Sequence, residues 1–293
     1  MQQGVNILVL ASIYLLFALG LSLVWGAFNI LNLAHGSVFM LGAFISNVVC
    51  SHVQMPIFAL VPLGFAIGAA AAGILELICF RPLRKRGSRT LHGGDIVIAS
   101  IAASIIPVVI AENVTQLEPF SINTTFTFET YRIFGVQVSN LDIAIVVLAV
   151  GLTAILASWV RRSRSGRAIR ALAVDPVACE LAGVNQDRLS LALMCLSGGL
   201  AGLAGVLLTL YLGSVTADIG SPLLLKAFAI IVVGSVGSIW GAAAGALLLA
   251  IVETLLVIHG LGQLQDAVSF GAVVVILLFR PEGLFAAARY RRV

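Results

Sequence analysis

The sequence predicts an all-α, polytopic helical membrane protein of about eight to nine transmembrane segments, with a short helix in a cytoplasmic loop. Three observations carry this. Of the 293 residues, 60% are hydrophobic and 10% charged, where soluble domains carry roughly 25% charged residues, and the mean hydropathy is +1.10. Apolar runs near the ~20 residues needed to cross ~30 Å of hydrocarbon recur from end to end; a membrane barrel would show alternating segments of about ten residues instead. Third, 15 of the 17 Lys and Arg residues fall in three breaks between those runs: 81–89, 161–188 and 280–292.

Taken in order, the first run, 5–25, follows MQQG without a positively charged start and is too long for a signal-peptide core, so it reads as a retained span. Runs at 34–49 and 56–80 lead to the first basic break. The positive-inside rule places 81–94, 161–188 and the tail 280–293 in the cytoplasm. A span at 95–111 then leads out, 112–140 lies outside, and 141–160 returns to the central basic loop. Runs 189–213, 223–240, 241–258 and 266–279 complete nine apolar segments with the N-terminus outside. The runs at 34–49, which carries His35, and from Ile96 are short or polar-tipped, so an eight-span chain with the N-terminus inside stays open. All of residues 1–293 form a single transmembrane domain. Three runs at each end close on Phe-Arg-Pro (80–82 and 279–281), which suggests a parallel internal duplication.

Within the central loop Asp175 suits a helix N-cap, Pro176 the first helical position and Gly183 the left-handed residue that closes a helix. Val177 and Leu181, four apart, would turn a small apolar ridge toward whatever lies beneath. Between 26 and 36, Asn29, Asn32 and His35 interrupt apolar sequence. Asn29 and Asn32 would share a helix face, either lining a solute path or holding helices together. Gly64, Gly68 and Gly73, Gly198-xxx-Gly202 and Gly237-xxx-Gly241-xxx-Gly245 provide small faces for close helix approach. The stretch 234–241, with Gly234 and Gly237, could instead be a bend beside the pathway. Glu253 is the one carboxylate deep in a late apolar run, a candidate pathway group, and Glu76 is placed to pair with a nearby arginine. Asp95 is a candidate N-cap, and alternation at 124–130 and 136–139 suggests a hairpin around Gly135.

Absences exclude whole classes. No GxxxxGK[ST] loop occurs, and Lys85 and Lys226 are the only lysines. No Ser-His-Asp, HExxH or paired-carboxylate constellation stands out, so no catalytic residues are assigned. Cys50, Cys79, Cys179 and Cys195 show no metal-ligand spacing. No metal, no cofactor and no nucleic acid is expected, since topology accounts for the positive charge.

The stretches 20–44, 133–152, 166–188, 233–256 and 279–285 together resemble the permease subunits of bacterial branched-chain amino-acid ABC importers. The most specific pieces are Asn-Leu-Ala-His-Gly, the central loop and Arg-Pro-Glu-Gly-Leu-Phe. The resemblance implies a multi-pass subunit of the bacterial inner membrane that performs no ATP hydrolysis itself. It would pair with a second similar permease chain, two cytoplasmic ABC ATPases and a periplasmic substrate-binding protein. It also implies that 168–183 acts as the coupling helix seated on the ATPase, with Ala168, Asp175, Pro176, Val177, Ala178, Glu180, Leu181 and Gly183 as its residues. The translocation path is assigned to Asn29, Asn32, His35, Gly234, Gly237 and Glu253. Family members often carry two glycines where this chain has Gly234-Ser235. The alternatives are a permease of the same type for urea or short amides, or an ion-coupled secondary transporter with Glu253 or His35 as its proton site.

Overall fold

The computed structural model describes residues 2–53, 55–86, 94–124, 129–133 and 135–279. Its helices are α1 (Gln2–Phe28), α2 (His35–His52), α3 (Ile57–Leu75), α4 (Arg81–Arg86), α5 (Gly94–Thr115), α6 (Asn140–Arg162), α7 (Arg164–Leu172), α8 (Pro176–Leu181), α9 (Gln186–Leu212), α10 (Gly220–Gly234), α11 (Ile239–Ile258) and α12 (Gln265–Phe279). A π-helical turn, Glu76–Phe80, joins α3 to α4 without a break. Strands β1 (Thr130–Ile133) and β2 (Val136–Ser139) pair antiparallel, Thr130 opposite Ser139, around Gly135 at φ +80°. The hairpin turns at Gly135 and its second strand is the expected 136–139, but its first strand is Thr130–Ile133 rather than the 124–130 arm that alternation suggested, of which 125–128 lie outside the described residues.

Seven helices are long and apolar enough to cross a membrane, among the described residues. The 16-residue stretch from Ile96 is one of them, because α5 runs on to Thr115. Two of the nine expected segments are not. The 34–49 run becomes α2, whose 18 residues include His35, Asn47 and His52, and the last run becomes the 15-residue α12. The segment expected to reach 240 ends at Gly234; a turn follows, and Trp240 belongs to α11. Asp95 lies in the first turn of α5 rather than capping it. The basic break at 81–94 opens as helix α4, and Arg89, His92 and the tail 280–293 fall outside the described residues.

Contacts order the helices between two ends of the bundle. At the hairpin end, the Gln2 side chain exchanges hydrogen bonds with the Gln137 backbone, Met55 bridges Thr124, and Phe120 bridges Val215 just beyond α9. At the opposite, arginine-rich end, Arg84 lies over the Phe28 ring and Arg81 pairs with Asp187. α1 and α9, each 27 residues long, thus run in opposite directions.

Each is followed by a return into the bundle and a helix that begins at mid-depth. His35, first residue of α2, bonds the Phe17 carbonyl halfway along α1, and Gly36 meets Gly220, first residue of α10. From there α2 proceeds to the hairpin end and α10 to the arginine end, where Gly237 packs on Gly26. α1 and α9, and likewise α2 and α10, therefore run in opposite directions. The parallel duplication expected from Phe-Arg-Pro set the runs of α1–α3 against those of α10–α12, and its second motif lies partly outside the described residues.

Glycine faces decide how closely α3 and α9 approach. Cβ atoms added at Gly68, Gly198 and Gly202 would overlap backbone of the opposing helix, as the small-residue spacing predicted. The Gly237-Gly241-Gly245 series is not one face. Gly237 sits in the turn at φ +79°, Gly241 packs against Gly234, and Gly245 against Ile230. We predict that Gly198→Ala, which meets Ala72 and the Gly68 carbonyl, lowers stability by about 1–3 kcal/mol. Gly151→Ala, with nothing within 4 Å of the new methyl, should leave stability unchanged or raise it by up to ~1 kcal/mol. Thermal unfolding in detergent micelles reads both.

Candidate functional site

The arginine-rich end is built from two consecutive short helices rather than one. Ser163 closes α6 and caps α7 by accepting from the Gly166 amide at 2.8 Å. α7 buries Gly166, Ile169 and Leu172 at three-residue spacing, so Arg164, Arg167 and Arg170 point outward and Ala168 is half-buried. Arg170 also donates to the Val160 carbonyl. For α8, Asp175 Oδ1 accepts from Val177 N at 2.9 Å and Ala178 N at 3.0 Å, Pro176 opens the helix, and Gly183 adopts φ +81°. Both ends lie where the cap residues placed them.

The apolar ridge faces the other way from the one expected. Val177 is 66% exposed, Leu181 85% and Val174 86%, whereas Cys179 turns inward and is buried. Four-residue spacing puts two side chains on one face, but only the packing partner decides which face is covered. Ala178 and Glu180 are exposed as well.

Between this loop and the end of α1 lies a cavity of about 600 Å³, lined in part by Trp25, Asn29, Arg84, Pro176, Gln186 and Val236. It brings Asn29 and Pro176, distant in sequence, to one opening beside the Gly234–Gly237 turn. Asn29 and Asn32 share no helix face, because α1 stops at Phe28 and Asn29 takes φ +54°, held by the Trp25 indole N–H at 3.3 Å. Gly237 donates its amide to Ser22 Oγ at 3.1 Å, fixing the turn against α1. Ser235, in the same turn, adopts φ +76°, a conformation glycine enters at far lower cost.

Asn32 and His35 lie deeper and are occupied. Asn32 Oδ1 accepts from the Ala34 amide at 3.0 Å, and His35 Nε2 bonds the Phe17 carbonyl at 3.1 Å with its ring stacked on Phe17. Glu253 is likewise occupied, inside a charge cluster at mid-depth. Its Oε2 accepts from the Tyr14 hydroxyl at 2.7 Å, and its Oε1 meets Lys226 Nζ at 2.9 Å and Ser269 Oγ at 3.4 Å. Lys226 also reaches Asp266 at 3.4 Å. Sequence reasoning singled out Glu253 but not Lys226. The signal was present, since a lysine in an apolar run needs a counter-charge as much as a glutamate does. Among the described residues no group of His, Cys, Asp and Glu side chains could hold a metal ion, and all four cysteines are free.

Residues 4–278 match the family model described as the permease component of the branched-chain amino acid transport system. The chain belongs to that permease family. It is 32% identical over 302 residues to the high-affinity branched-chain amino acid transport system permease protein BraD of Pseudomonas aeruginosa, covering all of this chain and 98% of BraD. It is 30% identical over 308 residues to the corresponding protein LivH of Escherichia coli, covering 97% of that protein. LivM of Escherichia coli is 27% identical, with 70% of its length covered. No solved structure matches the chain.

Two predictions follow for this permease. Lys226→Met leaves the buried Glu253 carboxylate without its cation and should cost about 3–5 kcal/mol of stability, of which Lys226→Met/Glu253→Met recovers a large part. Unfolding midpoints in detergent test this. Separately, a maleimide should label Val177→Cys rapidly and leave the buried Cys179 largely unreacted in the folded protein.

Proposed function

We propose that this chain is the membrane-spanning permease subunit of an ATP-driven importer of branched-chain amino acids in the bacterial inner membrane. It carries no ATPase motif, so ATP hydrolysis falls to two separate cytoplasmic subunits. A second, similar permease completes the pathway and a periplasmic binding protein delivers the solute. The arginine-rich end faces the cytoplasm and the hairpin end faces out, in keeping with the positive-inside rule. The latter part of α7 together with α8, residues 168–183, forms the coupling element. The exposure of Val177 and Leu181 on a helix capped at both ends, with Val174 exposed in the turn before it, carries this assignment. Apolar side chains held out in an otherwise basic loop suit a protein partner. A capped helix also passes on displacement that an unstructured loop would absorb.

Solute leaves through the arginine end, past Asn29 and the Gly234–Gly237 turn, where the cavity of about 600 Å³ is large enough for an amino acid. Asn32 and His35, at the mid-depth junction of α2 and α10, line the path when these two helices separate. Glu253 holds α10, α11 and α12 in register with α1. The relatives named for branched-chain amino acids, matched along the whole chain, support the choice of solute over urea or short amides.

Co-expression with the ATPases tests the assignment. The wild-type chain should retain ATPase on an affinity column, and Ala178→Asp/Leu181→Asp should lose it while the permease still elutes as a folded species. Leucine uptake should stop when ATP hydrolysis is blocked. Uptake that persists on a proton gradient alone would instead identify a secondary transporter.

A further inference from the structure

Beyond the coupling element the structure shows how its displacement reaches the spanning helices. α8 and the first turn of α9 form one unit. Gln186 Nε2 donates to the Pro176 carbonyl at 2.7 Å, Val184 N donates to the Cys179 carbonyl at 3.0 Å, and Asn185 caps α9 through the Arg188 amide at 3.0 Å. Asp187, second residue of α9, therefore moves with α8. Its carboxylate meets Arg81 Nε at 3.0 Å and Arg84 Nη2 at 3.8 Å, two side chains three apart on α4. Arg84 then pairs with Glu76, which is buried, and lies 5.9 Å over the Phe28 ring at the end of α1.

Glu76 opens the π-helical turn that separates α4 from α3. Such turns interrupt the regular ladder and recur at functional sites. Nearer mid-depth, α3 and α9 touch backbone to backbone at Gly68 and Gly198 and cannot slide freely. A push on α8 can thus be taken up only nearer the arginine end, where α4 and the first turn of α9 are bridged by these ions. Among the described residues, two arginines face two carboxylates along this bridge.

We infer that Asp187, with Arg81 and Arg84, is a positioning joint that transmits movement of α8 to the α3–α4 helix and to the mouth of the cavity that Arg84 lines. The inference rests on α8 being the ATPase-docking element. In the alternative the same ions are a static brace, and transport and hydrolysis then fail together.

The test uses the whole importer, reconstituted with its ATPases and binding protein in proteoliposomes, reading labelled leucine uptake and phosphate release in parallel. Asp187→Arg should keep the ATPase bound and hydrolysing, while uptake per ATP falls roughly fivefold or more, the scale of a typical coupling free energy. The exchange Arg81→Asp/Asp187→Arg should restore most of the ratio. If Asp187→Arg does not accumulate, Asp187→Asn and Arg81→Gln should each lower the ratio in the same direction.

An unchanged ratio in these variants overturns the joint, as does an exchange that restores nothing. Loss of the ATPase from the column on Asp187→Arg also overturns it, because Asp187 would then be a docking residue. Failure of the wild-type chain to retain ATPase would show before any substitution and would remove the docking assignment itself, and the joint with it.

Discussion

Within hydrocarbon, helices gain nothing by hiding apolar side chains from one another, so their association depends on how closely backbones can pack. In this permease that constraint is met chiefly between α3 and α9. Gly64 and Gly68 face Gly198 and Gly202, and a methyl at Gly68, Gly198 or Gly202 would collide with the opposing backbone. Gly42 of α2 comes down on Gly202 from another side, and the Phe39 carbonyl of α2 fits against Gly205. α9 is accordingly buried along most of its length and acts as the post on which the first three helices are hung.

That post allows two helices to begin in the middle of the bundle. Non-helical backbone at such depth is tolerated only where protein satisfies its polar groups. Residues 29–34 meet this condition locally: Leu33 N donates to Ser100 Oγ at 3.1 Å and Ala34 N to Asn32 Oδ1. Asn32 thus serves the backbone first, whatever else it does during transport. α2 and α10, of 18 and 15 residues, meet at Gly36 and Gly220 and leave in opposite directions, so the fold carries a junction at its centre.

The charged clusters divide the labour. Lys226, Glu253 and Tyr14 tie α10 and α11 to α1 deep in the bundle, where a lone charge would be costly and a pair is worth keeping for register. The Arg81–Asp187–Arg84–Glu76 network beside the cavity runs from a partly exposed end, Arg81 at 42% and Asp187 at 28%, to the buried Glu76. Partial access to water at the Arg81–Asp187 end lowers the cost of rearranging that pair, which suits a place that has to move.

Much of this was legible in the chain because membranes impose few rules and enforce them strongly. Hydrophobic runs announced the spans, arginines marked one end, and Asp175, Pro176 and Gly183 bounded α8 because caps are local chemistry. Residues distant in sequence were harder to place. The facing of Val177 and Leu181, the Lys226 partner of Glu253 and the mid-depth starts of α2 and α10 depend on burial or on neighbours in other helices, such as Gly220 against Gly36. By itself the sequence determined a polytopic helical permease with a capped basic loop, since hydropathy and capping act over a single turn or span. Only tertiary packing decided helix polarity, depth and pairing, because these follow from which backbone can approach which, and that has no local signature.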